Sequence, residues 1–365
     1  MVLIKQLTLF LESLFPLAVQ EDYDNSGLLT GRYDMQIVGA VVCLNVTEDV
    51  VNEAIEKNCN LIIAHHPMIF KGLKRLTGSS KPELLTELCI KNNIAVYVAH
   101  TNADKTFPGL NSFIAGKLEL LNVNVLMPEP SLLCKLVTFC PIEHSENVRN
   151  ALFNAGAGVI GAYDQCSFGI DGYGTFRGSE MTNPFVGVKG EQHTEAETRI
   201  ETVFPMFLQK KVIDALIGSH PYEEVAYDIY KLENKHPGFG LGAYGSLDKP
   251  MKINEFLTKV KKTFATHTLK YSGSHDSEIR TVAVCGGSGA GFMERAYLAG
   301  ADAYITSDIK YHEFDHGHMN FVFIDAGHFE TEIFFKEYII NKVSEKFTNF
   351  AIHFSEREKN LHSYF

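Results

Sequence analysis

No run of apolar residues in this sequence approaches the roughly 20 needed to span a bilayer, so no membrane helix is expected. Positive charge is scarce: 33 Lys and Arg stand against 44 Asp and Glu, a formal net charge of −11. Nucleic acid and anionic membranes are bound by basic patches, and this balance argues against both. There is no Cys-x-x-Cys pair, and the 7 cysteines are an odd number. That pattern points to reduced thiols in the cytoplasm rather than a disulfide framework. There is no Gly-x-Ser-x-Gly elbow and no cysteine beside an activating partner, so no covalent nucleophile is indicated. Neither dinucleotide nor Lys-containing phosphate-loop glycine pattern occurs. The nearest approach, "CGGSGAG" from Cys285 to Gly291, reads as a tight strand-to-helix turn rather than a phosphate cradle. The opening "MVLIKQLTLFLESLFPL" resembles a signal peptide only superficially. Lys5, Gln6 and Glu12 interrupt it, and Leu3, Leu7, Leu11 and Leu14 keep helical spacing, which predicts an amphipathic helix ending near Pro16.

What is present is enough chain for two domains: 365 residues, 45% hydrophobic and 21% charged. After a polar turn, "EDYDNSGLLTG", the strand "IVGAVVCLNV" leads into a helix from Thr47 to about Lys57. "NLIIA" is the next strand and stops at His65. "PELLTELCIKNN" is a helix with Pro82 in its first turn, "IAVYVA" a strand stopping at His100, and "LNSFIAGKLELL" a helix. Alternation of this kind predicts a parallel sheet with right-handed crossovers. It returns near the C-terminus with "RTVAVCGG", "GFMERAYLAG", "DAYITS", "NFVFIDA" and a helix from Glu330 to about Lys346. A gapless shift that matches Cys43 to Cys285 also matches Val42 to Val284, Ala54 to Ala296 and Ile63 to Ile305. It sets His65 and His66 against Ser307 and Asp308. We read an internally duplicated three-layer α/β domain. Residues 130–237 interrupt it with two β-α-β passes, a ferredoxin-like α+β insertion that leaves through the Gly- and Pro-rich linker "NKHPGFGLGAYG". The expected domains are 1–129 with 238–365, and 130–237.

Ligands of open α/β sheets bind beyond the carboxyl ends of the strands. Collected there are His65 and His66, His100 and Asp104, Ser307, Asp308, His312 and Glu313, and His328. Glu332 stands four residues after His328, on the same helical face. Imidazole with carboxylate is a donor set for Zn, Mn or Fe(II) rather than Mg or Ca. His65, His66, Asp104, His328 and Glu332 exceed one closed tetrahedral site, and they suit two ions that share a carboxylate and keep open positions. His100 reads as a proton carrier or an orienting group, although a ligand role stays open, and Asp308 with His312 as candidates for the same duties. Asp24 and Asn25 read first as an Asx turn. In the insertion, "SHPYEEVAYDIY" with His220 and Glu223 reads as a polar turn before a strand, with metal binding the lesser alternative.

Taken in order, "YDNSGLLTG", "AHHPMIF", "HTNAD", "SDIKYHE" and "GHFETE" resemble the motifs of the Nif-three-like family, also catalogued as GTP cyclohydrolase I type 2 homologues. The likeness covers nearly the whole chain, and the insertion resembles the PII-like domain of the family's longer bacterial members. The resemblance implies a dinuclear metal site at His65, His66, Asp104, His328 and Glu332, with zinc first and manganese or iron next. It also implies a homohexamer around an internal cavity. Three positions depart from the pattern: Tyr23 for the usual Trp, Ala103 for the usual Leu, and "GAYG" at 242–245 for Gly-Arg-Ile-Gly. The expected function is metal-dependent hydrolysis of a nucleotide or phosphoester. The alternative is a non-enzymatic metal-binding or regulatory scaffold whose PII-like domain senses a small ligand.

Overall fold

The computed structural model describes residues 1–274, 276–318 and 320–363. Helix α1 (Ile4–Leu14) precedes β1 (Gly27–Thr30), β2 (Gly39–Cys43), α2 (Glu48–Glu56), β3 (Leu61–Ala64), α3 (Lys81–Lys91) and β4 (Ala95–Val98). Then come α4 (Thr101–Lys105), α5 (Leu110–Lys117) and β5 (Leu121–Pro128). The next stretch holds β6 (Leu133–Pro141), α6 (Ser145–Asn154), β7 (Ser167–Arg177), β8 (Gln192–Pro205), α7 (Gln209–Ser219) and β9 (Tyr227–Leu232). The chain continues with β10 (Gly240–Lys252), α8 (Ile253–Thr263), β11 (Lys270–Ser272), β12 (Glu278–Val284), α9 (Met293–Leu298) and β13 (Ala303–Thr306). It ends with β14 (Val322–Asp325), α10 (His328–Glu332), α11 (Phe334–Lys346) and β15 (Ala351–Phe354). Two compact units result, Met1–Pro128 with Gly238–Phe365, and Glu129–Pro237.

The larger unit carries two sheets of matching order, β1-β4-β3-β2-β15 and β11-β14-β13-β12-β10-β5. In each, a short edge strand runs antiparallel to its neighbour and the next three strands are parallel. The shift that matches Cys43 to Cys285 carries Leu61–Ala64 onto Ala303–Thr306, and it carries α2 onto the helical turns at 290–298. Fully buried β2, β3, β13 and β14 are the strands of sheets covered on both faces. One face of each sheet contributes to a shared core, Ile63 and Tyr97 from one and Ile305 and Ile324 from the other. Leu7 of α1, Ile114 of α5, Phe256 of α8 and Ile339 of α11 complete it. The outer face of the first sheet packs on α2 and α3 through Val50, Val51, Leu85 and Cys89.

Two expectations at the seam of the halves are corrected. The helix starting at Leu110 stops at Lys117, and Leu121–Pro128 forms the edge strand β5. "NKHPGFGLGAYG", expected to be a linker, instead supplies the start of β10, which pairs with both β5 and β12. The glycines that suggest a linker are there because neighbouring backbone leaves no room for a side chain. A Cβ on Gly240 would lie 2.3 Å from the Met127 carbonyl oxygen.

The insertion runs β-α-β-β-α-β, and its strands are ordered β7-β8-β6-β9, every neighbour antiparallel. This is the ferredoxin-like arrangement. Val148 and Leu152 of α6 and Val212 and Leu216 of α7 pack on Leu136, Ile200 and Phe204, so both helices cover one face of the sheet. Among the described residues no helix is long and apolar enough to cross a membrane.

The C-terminal tail is fastened by a buried carboxylate on α2. Glu53 is 2% exposed and accepts hydrogen bonds from the Glu356 and Arg357 amides, the Ser355 hydroxyl and the Lys57 ammonium. Burial alone would push this carboxyl up, but those donors outweigh it and hold it at about 2. A group whose pKa is depressed on folding contributes stability above its unfolded value, and that contribution is lost as pH falls through the folded one. The chain is therefore expected to lose melting temperature between about pH 4.5 and 2, and more steeply than its Glu53→Gln variant. At neutral pH the variant should be roughly 2 kcal/mol less stable, the scale of hydrogen bonds to a charged group. Thermal denaturation of both proteins across pH checks this.

Candidate metal centre

Imidazoles and carboxylates meet where strand ends of the two half-sheets come together. His65 and His66 follow the last residue of β3. His100 caps α4, just beyond β4, and Asp104 lies within that helix. His328 and Glu332 open and close α10 after β14, the i,i+4 spacing that aligns them on one face. Gly327, at φ 92°, makes the turn from strand into α10.

The rings of His65 and His66 have centroids 5.0 Å apart; His100 stands 5.3 and 5.4 Å from them, and His328 5.4 Å from His66. Each ring is oriented by its Nδ1. His65 Nδ1 donates to the Ala99 carbonyl at 2.8 Å, His66 Nδ1 to Asn45 Oδ1 at 3.0 Å, His100 Nδ1 to Asp24 Oδ1 at 2.8 Å and His328 Nδ1 to Asp308 Oδ2 at 2.6 Å. A carbonyl, amide or carboxylate oxygen accepts, so each Nδ1 carries a proton and each Nε2 is the nitrogen left to face the centre. This partnership fixes tautomer and orientation in histidine metal ligands.

The Nε2 atoms face carboxylates. Glu332, 5% exposed, sets Oε2 2.9 Å from His66 Nε2 and 3.0 Å from His328 Nε2, and Oε1 3.7 Å from His65 Nε2. Asp104 Oδ1 lies 3.7 Å from His65 Nε2. Yet His65 Nε2, Asp104 Oδ1 and Glu332 Oε2 are buried with no aligned hydrogen-bond partner. Buried polar atoms are rarely left so, and here they converge as donors to an ion would. Among the described residues two groups are compact enough to hold one: His65 with His66 and His100, and His66 with His328 and Glu332. Glu332 is the carboxylate that touches rings of both.

Electrostatics fit a cation. Burial pushes the Asp104 carboxyl up, His65 offsets part of this, and the nearby charges of Glu332 and Asp24 reinforce it, to about 7. Burial would also raise Glu332, but His65, His328 and His66 hold it well below the usual carboxylate range. His328, which burial would lower, is drawn up to about 9 by Glu332 and Asp308. The protons held among these crowded donors are what a divalent ion would replace.

The remaining candidates fall outside the centre. Asp308, at φ 58°, acts through His328. Ser307 donates its hydroxyl to the Gly287 carbonyl. His312 and Glu313 lie on the turn Tyr311–Phe314, where Glu313 accepts from the Lys310 amide. The Cys285–Gly291 loop spends its amides internally: Gly286 donates to Asn111 Oδ1, Gly287 to Thr331 Oγ1 and Gly289 to Thr306 Oγ1. It is a supporting turn rather than an anion cradle.

Two contributors were missed or undervalued from sequence. Asp24 does form an Asx contact with the Asn25 amide, but it also accepts from His100, from the Thr101 amide and hydroxyl, and from Ser26. These donors and the His100 charge overcome burial and hold its carboxyl far below the usual range. Asn45 lies beyond the end of β2, the same edge that yielded the histidines; a search confined to imidazoles and carboxylates passes over it.

Known proteins carry the same architecture. The family profile described as Duf34/NIF3 (NGG1p interacting factor 3) matches residues 2–361. A Bacillus subtilis protein named GTP cyclohydrolase 1 type 2 homolog is 41% identical over 342 residues, 93% of this chain and 91% of its own. A Halalkalibacterium halodurans protein of the same name is 42% identical over 298 residues, 81% of this chain and 80% of its own. The crystal structure of a Bacillus cereus protein related to NIF3 superposes with a TM-score of 0.84 at 37% identity, covering 100% of this chain and 99% of that one. On these grounds the chain belongs to the DUF34/NIF3 family.

Proposed function

We propose that this protein is a dinuclear metal-dependent hydrolase acting on a nucleotide or another phosphoester. The observation that carries the reading is the set of imidazoles whose Nδ1 atoms are all engaged outside the centre, so that their Nε2 atoms gather with the buried oxygens of Asp104 and Glu332. The residues that would hold the ions are His65, His66, Asp104, His328 and Glu332, with zinc the first choice and manganese or iron(II) compatible. Bound divalent ions supply Lewis acidity at neutral pH and electrostatic stabilisation of a developing oxyanion.

The chain's own groups do the rest. The His100 ring stands against His65 and His66, and its Nδ1–H is held by an ionised Asp24. That carboxylate stabilises positive charge on the ring, so Nε2 is suited to take a proton from an attacking water and return it to the leaving group. Asp308 and Asn45 keep the His328 and His66 rings from rotating. Phe335, 4.7 Å from the His65 ring, walls off its inner side. The name shared by the relatives makes GTP a first substrate to try.

The test is turnover of GTP and of an aryl phosphodiester by protein loaded with zinc or manganese, with metal counted per chain. Turnover is expected with metal and absent after chelation. His100→Ala should lose about 100-fold or more in kcat, the usual worth of a positioned acid–base group, and its metal content, counted alongside, shows whether the ring also serves as a donor. Two ions bound and neither substrate turned over would overturn the hydrolase reading and leave a metal-carrying protein.

A further inference from the structure

We propose that the inserted unit binds a small organic cation, an alkylammonium with an apolar body, on the sheet face that its helices leave uncovered. This inference is independent of the metal centre. A cavity of about 650 Å³ lies there, within the unit Glu129–Pro237. That volume falls in the range of small-molecule sites.

The register of β7 and β8 explains why space exists. Paired residues on adjacent strands share a face, and the partner of Glu197 is Gly172. A Cβ built on Gly172 meets nothing within 4 Å, and the Glu197 carboxylate leans over Gly174, two residues on along the same face, where a Cβ would lie 2.1 Å from Oε2. Glu197 is 8% exposed and lines the cavity, accepting the Tyr222 hydroxyl at 2.8 Å through Oε1. Phe176 and Phe185 flank Tyr222 at centroid distances of 6.2 and 6.3 Å, with planes tilted by 56° and 49°. All three rings line the cavity together with the buried Glu197 carboxylate, and aromatic walls beside a carboxylate favour an organic cation.

The "SHPYEEVAYDIY" segment finds its use in building this wall. His220 engages both nitrogens with backbone, Nε2 on the Phe139 carbonyl and Nδ1 on the Tyr222 amide, and so fixes the tyrosine. With both nitrogens taken, His220 is no metal ligand.

Charge selects the ligand's sign. Glu197, Glu223 and Glu224 line the space with Arg177 and Arg199, while the Asp171 carboxylate is turned to the other face, where it accepts from the Thr198 hydroxyl. Arg199 is already paired with Glu201 and lies 5.7 Å over the Phe139 ring. The balance is negative, and a carboxylate at the base of an aromatic wall rewards a cation over a neutral molecule of the same shape.

Titration of the full chain with choline, with benzyltrimethylammonium and with the neutral tert-butyl isostere of choline tests the proposal by calorimetry or NMR. Both cations are expected to bind saturably, and the neutral isostere about tenfold more weakly or less. Glu197→Gln should weaken the cations by about tenfold while leaving the isostere unchanged. Gly172→Leu should abolish binding by filling the cavity. Circular dichroism and metal content should be unaltered in both variants, since the site stands apart from the metal ligands in sequence and unit. Equal binding of cation and isostere, absence of saturation at roughly millimolar concentration, or undiminished binding by Gly172→Leu would overturn it. So would sedimentation showing that Gly172→Leu breaks an oligomer, because the face would then be covered by a second copy.

Discussion

Replacing Glu332 by alanine should leave the purified protein without metal, whereas replacing Asp104 by alanine should cost it part of its metal. Glu332 is the carboxylate in contact with rings of both donor groups: Oε2 lies against His66 and His328, and Oε1 faces His65. Asp104 approaches His65 alone among those rings. Loss of an orienting partner typically lowers metal affinity 10–100-fold, and loss of a ligand shared between two ions should exceed about 100-fold at each. Removing Glu332 also leaves the His66 and His328 nitrogens facing a void. Elemental analysis after dialysis, set beside thermal melting in chelator, separates the two causes of failure. A metal-free protein that melts like metal-free wild type supports the shared role of Glu332. Retention of two ions in Glu332→Ala would refute it.

How much of this was legible beforehand depended on whether the signal was local. The strands around His65 and His328 announced themselves by β-branched apolar runs, and the Glu332 spacing by helical periodicity. The duplication could be read because equivalent strands keep their lengths, β3 falling onto β13 without a gap. Strands β5 and β10 were hidden. β5 is half-exposed and carries asparagines, and β10 is glycine-rich because backbone presses on it, so both imitate loops. At the centre, residues that carry their own chemistry were found and those that work through a partner were not. Asn45 and Asp24 matter because His66 and His100 lie against them, 21 and 76 residues away in sequence. No periodicity encodes such a contact. Asp308 was the exception: its place at a strand end marked it as a proton carrier or orienting group, and it lies 2.6 Å from His328 Nδ1.

The second large effect is expected from a residue with no side chain. Gly287→Ala should both destabilise the protein and empty its metal centre. Gly287 sits at φ 67°, where an L residue is strained by roughly 1 kcal/mol. A Cβ there would lie 2.1 Å from Glu332 Oε1, far inside van der Waals contact. Neither partner has an easy retreat. The Gly287 amide donates to Thr331 Oγ1, and its carbonyl accepts from the Ser307 amide and hydroxyl and the Thr306 hydroxyl. Glu332 is enclosed by three imidazoles. Strain and displacement together should cost about 2–4 kcal/mol, the scale of an overpacked interior, seen as a fall of roughly 3–7 °C in melting temperature. Metal content should fall with it, as in Glu332→Ala. Gly291→Ala is the internal control, in the same loop but with nothing within 4 Å of the added Cβ, and it should melt and bind as wild type does. If both variants behaved alike, the glycines would be serving the turn alone. If only Gly287→Ala loses metal, the glycine-rich loop is the floor on which the shared carboxylate rests.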